Sequence, residues 1–202
     1  MKPRLIVEQK ITAFTNKYSI FAVTADGKKG DMVAFAQQKR IALREKITFY
    51  KDASKAEVAF TFRAEKVMDI HGKYFVEDPD GKLIGSFRKD FAKSLLNSTW
   101  LVLGKDDSTK FSISESNMVL ALLRRFSGLI PIVGEIIDIL VTFLRYHFVL
   151  VDANTKEQIG RYQKTTLIRD HYTLSVTDQA YDQEDWRVFA ALGVALDALQ
   201  SR

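Results

Sequence analysis

The chain has 202 residues, 47% of them hydrophobic, and a formal net charge of +5. Its length and apolar content fit one globular domain, 1–202, with a sizeable core. The absence of cysteine excludes disulfides, thiolate nucleophiles and cysteine-built zinc or iron–sulfur centres. The mild basic excess, with no concentrated block, argues against a nucleic-acid binder while permitting contact with an anionic surface.

The apolar run Leu5–Val7 is too short for the core of a signal peptide, so a cytoplasmic protein is expected. It opens a strand reaching towards Phe14. A series of hairpins follows. Tyr18 to Lys39 turns at Asp26-Gly27, and Ile47 to Phe62 turns near Asp52-Ala53-Ser54. Lys73 to Lys89 turns at Asp78-Pro79-Asp80-Gly81, and Trp100 to Ile113 turns near Asp106-Asp107-Ser108. Tyr146 to Lys164 turns at Asn154-Thr155, and a strand from Thr166 to Val176 comes after it. The turns carry glycine or short polar residues, which tolerate positive φ. Their flanks alternate with period two, as in Phe60-Thr61-Phe62-Arg63 and Tyr172-Thr173-Leu174-Ser175-Val176. Two hairpins are copies of one motif: Asp78, Lys82, Gly85, Phe87 and Lys89 correspond to Asp152, Lys156, Gly160, Tyr162 and Lys164.

Two stretches break this rhythm. Between 117 and 145 the pattern turns helical. Glu135, Asp138, Thr142 and Arg145 form one polar stripe opposite Ile136, Ile137, Leu140 and Leu144. Acidic residues near the middle of a membrane span cost about 2.5–3.5 kcal/mol each. Glu135 and Asp138 would sit there, and Gly128, Pro131 and Gly134 interrupt the segment, so a helix packed on the barrel is expected rather than a span. The second stretch, 184–200, is apolar on every side from Val188 to Leu199 except for Asp197. A helix of that kind must be buried. At about 1.5 Å per residue its apolar part is too short for a hydrocarbon layer of about 30 Å. The lumen of a barrel larger than about eight strands needs such a filler. The acids Asp182, Glu184 and Asp185 read as the start of this helix, with oxygen ligation of a hard cation as the weaker alternative.

Hairpins in series, a helical insertion before the last repeat and a closing apolar helix together resemble the tubby-like superfamily. The branch most similar is the LURP-one-related proteins, whose fold is shared with phospholipid scramblases. The likeness rests on Tyr74–Lys89, Phe148–Lys164 and Asp185–Leu199, and covers nearly the whole chain. It implies a mainly β fold: an antiparallel barrel of about twelve strands around a buried C-terminal helix. The scramblase likeness suggests calcium binding near the last helix, where Asp197 stands at a position that family also fills with Asp. The metal-ligating acidic spacing before the helix is not matched, and phosphoinositide-binding positions are not matched residue by residue, so neither site is carried over.

No catalytic constellation is expected. His71, His147 and His171 lie in or beside strands without metal-ligand spacing, and neither a phosphate-binding glycine loop nor a nucleophile elbow occurs. Catalytic, metal and cofactor residues are therefore expected to be none. Lys39, Arg40, Arg88, Lys89 and Lys164 fall at the ends of equivalent hairpin strands, and are the candidate contacts for an anionic ligand or lipid. Asp197 needs a hydrogen-bonding partner if it is buried with its helix. These features point to a non-enzymatic binding or scaffold domain with an anionic-lipid or protein partner. The alternative is a peripheral membrane protein that uses the rim basic residues and the 118–144 segment. A hydrolase with its site at the barrel mouth is a third reading.

Overall fold

The computed structural model describes residues 1–39, 46–65, 72–90, 98–116, 147–166 and 170–200. Twelve strands run β1 (Lys2–Ile11), β2 (Thr15–Val23), β3 (Lys29–Lys39), β4 (Lys46–Tyr50), β5 (Val58–Ala64), β6 (Lys73–Glu77), β7 (Leu83–Lys89), β8 (Thr99–Leu103), β9 (Thr109–Glu115), β10 (His147–Asp152), β11 (Gln158–Lys164) and β12 (Asp170–Val176). Each pairs antiparallel with its neighbours in sequence, and β12 returns to pair with β1, so the barrel is closed. Closure removes every sheet edge. Two helices follow, α1 (Asp178–Gln183) and α2 (Trp186–Gln200). The expected twelve-stranded barrel and buried helix are both present. The helix expected over 117–145 lies outside the described residues.

Along each strand one set of alternate side chains faces inward. Phe49, Phe60, Phe62, Phe87, Phe148, Tyr18 and Tyr172 are almost fully buried, and rings stack across strands, with Phe49 and Phe60 centroids 4.2 Å apart. Helix α2 occupies the space these side chains leave. Every residue from Val188 to Ala198 is buried. Small residues let the wall and helix approach: a Cβ on Gly193 would stand 3.3–3.4 Å from the Tyr162 ring and hydroxyl. The paired repeat glycines answer the same demand in different places. A Cβ on Gly85 would meet Val188 Cγ2 of α2 at 2.7 Å, and one on Gly160 would meet Val176 Cγ1 at 2.6 Å and the Ser175 carbonyl at 2.8 Å.

The sequence places the start of the central helix at the acids 182–185. Instead, those acids straddle two helices. Thr177 caps α1 by accepting from the Ala180 N–H (3.2 Å), and Glu184 is extended, which ends α1. Asp185 then caps α2, its carboxylate accepting from the Arg187 N–H at 2.9 Å.

The alternating topology sorts the connections to two ends. At one end lie five tight turns, 24–28, 51–57, 78–82, 104–108 and 153–157, together with α1. Each turn holds one residue in the left-handed region: Gly27, Lys55, Gly81, Asp107 and Lys156, with φ between 62° and 81°. In the last hairpin that residue is Lys156 rather than the expected Asn154 or Thr155. Asp52, Asp78, Asp106 and Asp152 brace their turns by accepting backbone N–H groups at 2.8–3.2 Å. The turn Thr12–Phe14 lies at the opposite end, where β3, β5, β7, β9 and β11 also end.

Candidate functional site

Near the second end, the inner face and the central helix meet at a polar cluster. Asp197 is 7% exposed. Its Oδ2 accepts from Gln9 Nε2 of β1 at 2.6 Å and from the Tyr18 hydroxyl of β2 at 2.8 Å, while its Oδ1 accepts from the Tyr172 hydroxyl of β12 at 3.3 Å. The three donors come from adjacent strands on either side of the barrel closure. Tyr162 stacks on Tyr172, centroids 5.3 Å apart, and its hydroxyl donates to the Gly193 carbonyl at 3.4 Å. Burial, then the charge of Asp197, then the hydrogen bond to it push the Tyr18 phenol far above its ordinary value of 10.0. Tyr162 is raised for the same first two reasons, with Tyr18 adding to them. These phenols stay neutral donors across the physiological range. The cluster thereby satisfies the buried carboxylate that the sequence left unexplained, and it ties α2 to the seam between β12, β1 and β2.

Other inward polar groups gather at this end. Glu115 and Lys164, which end β9 and β11, are 8% and 7% exposed, and each has a bonding partner. Gln38, near the end of β3, is 7% exposed.

The candidate basic residues sort by phase. Strands β3, β7 and β11 run in one direction, so Lys39, Lys89 and Lys164 end at the same rim. Lys164 lies in phase with Gly160 and Tyr162 and is buried. Lys89 lies in phase with Gly85 and Phe87, is half-buried and has a partner. Arg88 lies in the opposite phase and is exposed. Arg40 lies outside the described residues. Three further lysines near this end, missed from the sequence, are Lys10, Lys17 and Lys46. Lys10 and Lys46 are exposed, and Lys17 is half-buried. None of the three has an acidic partner among the described residues.

The turn end has the opposite character. The five turns with residues 177–187 hold 12 of the 25 acidic residues and 7 of the 30 basic ones, so the rest of the chain carries 23 basic residues against 13 acidic. Several basic residues at the turn end pair with acids: Lys28 with Asp26, Lys51 with Glu57, Arg187 with Asp185, and Lys2 and Arg4 with Asp178. A cleft of about 90 Å³ opens there between α1 and the β10–β11 hairpin, over Phe111, Ile159 and Ala180. Lys110 crosses it to Glu184 Oε2 (2.6 Å) and the Gln183 carbonyl (3.1 Å). Pockets for cofactors and drug-sized ligands run to about 300–1,000 Å³, so this cleft holds a few atoms at most.

Among the described residues no group of three or more His, Asp or Glu side chains is placed to hold a metal ion. His147 and His171 are half-buried strand residues, and His71 lies outside the described residues. No helix among the described residues is long and apolar enough to cross a membrane, which says nothing about crossing by strands.

A solved structure of an Arabidopsis thaliana protein superposes on this chain with a TM-score of 0.54 at 13% identity. The match covers 98% of this chain and 91% of that one, a likeness of fold. No curated protein matches the sequence. The family model described as LURP-one-related matches residues 32–197, from the middle of β3 to the aspartate of the central helix. The chain belongs to the LURP-one-related family.

Proposed function

We propose that this protein is a non-enzymatic binding or scaffold domain that meets an anionic ligand on its outer surface, at the rim opposite the tight turns. One observation carries the proposal: α2 fills the lumen, every residue from Val188 to Ala198 being buried, so recognition is left to the outside. The charge asymmetry chooses the end. Arg88, Lys10 and Lys46 are exposed near the rim away from the acidic turns, and a field of one sign concentrates anions there. Arg88 is retained from the five candidate contacts. Lys164, being buried, is not needed for the contact.

The test is titration with a soluble polyanion, inositol hexakisphosphate, at low salt. Binding that weakens as salt rises is expected, since the Debye length shrinks from about 30 Å at 0.01 M to about 10 Å at 0.1 M. Each surface charge contributes about 1 kcal/mol and a reversal changes two, so Arg88→Glu or Lys46→Glu should weaken binding about thirtyfold. Lys105→Glu, on an exposed turn at the acidic end, should leave it unchanged. Equal weakening by all three substitutions, or no binding by the wild type, defeats the proposal.

A further inference from the structure

We infer that the tip of the β1–β2 hairpin, Lys10 to Lys17, is an anchor that seats the protein on an anionic bilayer, with the Phe14 side chain entering the interface. The inference deepens the proposed function by naming the partner and the contact, and it rests on that reading.

Phe14 is 77% exposed and Ile11 is 54% exposed, the two most exposed large apolar side chains among the described residues. They share one turn. That turn is held rigidly: the Thr12 N–H donates to the Thr15 carbonyl at 2.8 Å, and the Thr12 hydroxyl donates to the same carbonyl at 2.8 Å while accepting from the Thr15 N–H at 3.1 Å. Phe14 is thus presented on an ordered support, and little conformational entropy is lost on contact.

Charge identifies the occupant. Lys10 and Lys17 are directly opposite in the β1–β2 register. Like charges so placed destabilise a ladder, and neither lysine has an acidic partner among the described residues. A plane of anionic headgroups relieves that repulsion and attracts both. The acidic turns lie at the far end of the barrel, where they face away from such a plane.

Shape also favours a bilayer over a protein. Two side chains on a convex tip offer far less than the roughly 800 Å² per partner of a stable protein interface. A bilayer accepts a single projecting ring at headgroup depth, since its surface closes around the ring.

The experiment uses the full chain and co-sedimentation with two vesicles, phosphatidylcholine alone and phosphatidylcholine mixed with phosphatidylserine. Binding to the mixed vesicles and not to the neutral ones is expected. Phe14→Ser should lower it about tenfold or more, the range for removing one inserted aromatic side chain. The paired substitution Lys10→Glu with Lys17→Glu should abolish it. Bromine on the acyl chains should quench the fluorescence of a Phe14→Trp variant above the background from Trp100 and Trp186. The side chain of Phe14 points into solvent, so Phe14→Ser should fold as the wild type does, which thermal unfolding checks. Inositol hexakisphosphate binding should be unchanged in Phe14→Ser. Vesicle binding that Phe14→Ser leaves intact overturns the inference, as does a wild type that binds the polyanion but neither vesicle. In the second case the proposed function stands while its named partner falls. Capture of a protein through Phe14 in the absence of vesicle binding overturns it too.

Discussion

Tyr18 offers a direct measure of what the buried carboxylate contributes. It is fully buried, and its hydroxyl donates to Asp197 Oδ2 at 2.8 Å. Tyr18→Phe removes a hydrogen bond to a charged acceptor, worth about 1.5–3 kcal/mol, with little change in packing. The variant should therefore be about 2 kcal/mol less stable at pH 7. The gap should close at alkaline pH. The folded phenol is raised far above 10.0, so its stabilising effect is complete below pH 10 and is lost as pH rises and the unfolded phenol ionises. At pH 11 that loss reaches about 1.4 kcal/mol for one group. Phenylalanine has no such loss, and Tyr162 contributes the same slope to both proteins. Urea unfolding of wild type and Tyr18→Phe at pH 7 and pH 11 checks this, the gap narrowing from about 2 to about 0.6 kcal/mol. A gap that stays constant, or is absent at pH 7, refutes a neutral Tyr18 donating to a buried Asp197.

Gly160→Ala should cost more than Gly85→Ala. The first drives a methyl against the Ser175 carbonyl as well as Val176, and backbone cannot swing aside as Val188 can. Overpacking of this kind costs about 1–3 kcal/mol, a fall in Tm of several degrees by calorimetry. Lys156→Gly should stabilise by about 0.5–1 kcal/mol, because a lysine at φ 62° bears a steric cost that glycine does not; chemical denaturation would show the gain as a higher midpoint.

Much of the barrel was legible because its devices are local. An Asp opening a turn and a side chain free of φ restriction closing it mark Asp78-Gly81 as a hairpin wherever they occur, and period two fixes which side chains face inward. The same phase makes Lys89 and Lys164 inward residues, each four positions after its repeat glycine, Gly85 or Gly160, and it separates them from outward Arg88. Helix α1 was missed because six residues give no periodicity and its signal is one hydroxyl, Thr177. Asp197 was visible as an oddity, but its donors were not. Gln9, Tyr18 and Tyr172 each stand in phase with apolar neighbours, and only closure of β12 on β1 brings them around one carboxylate. The segregation of acids to one end likewise depends on strand alternation. Exposure of Phe14 could not be read from a strand pattern that runs straight into it.

The position of α2 in the chain has a consequence for synthesis. Barrel closure needs β12, and the filler of the lumen comes later still. A ribosome that has released only the first eleven strands holds a chain with some of its largest apolar side chains aimed at an empty centre. Such a chain has neither its seam nor its core, and long-range pairing of this kind folds slowly. Folding of the barrel is therefore expected to complete only once α2 has emerged, and until then the nascent hairpins leave apolar surface exposed.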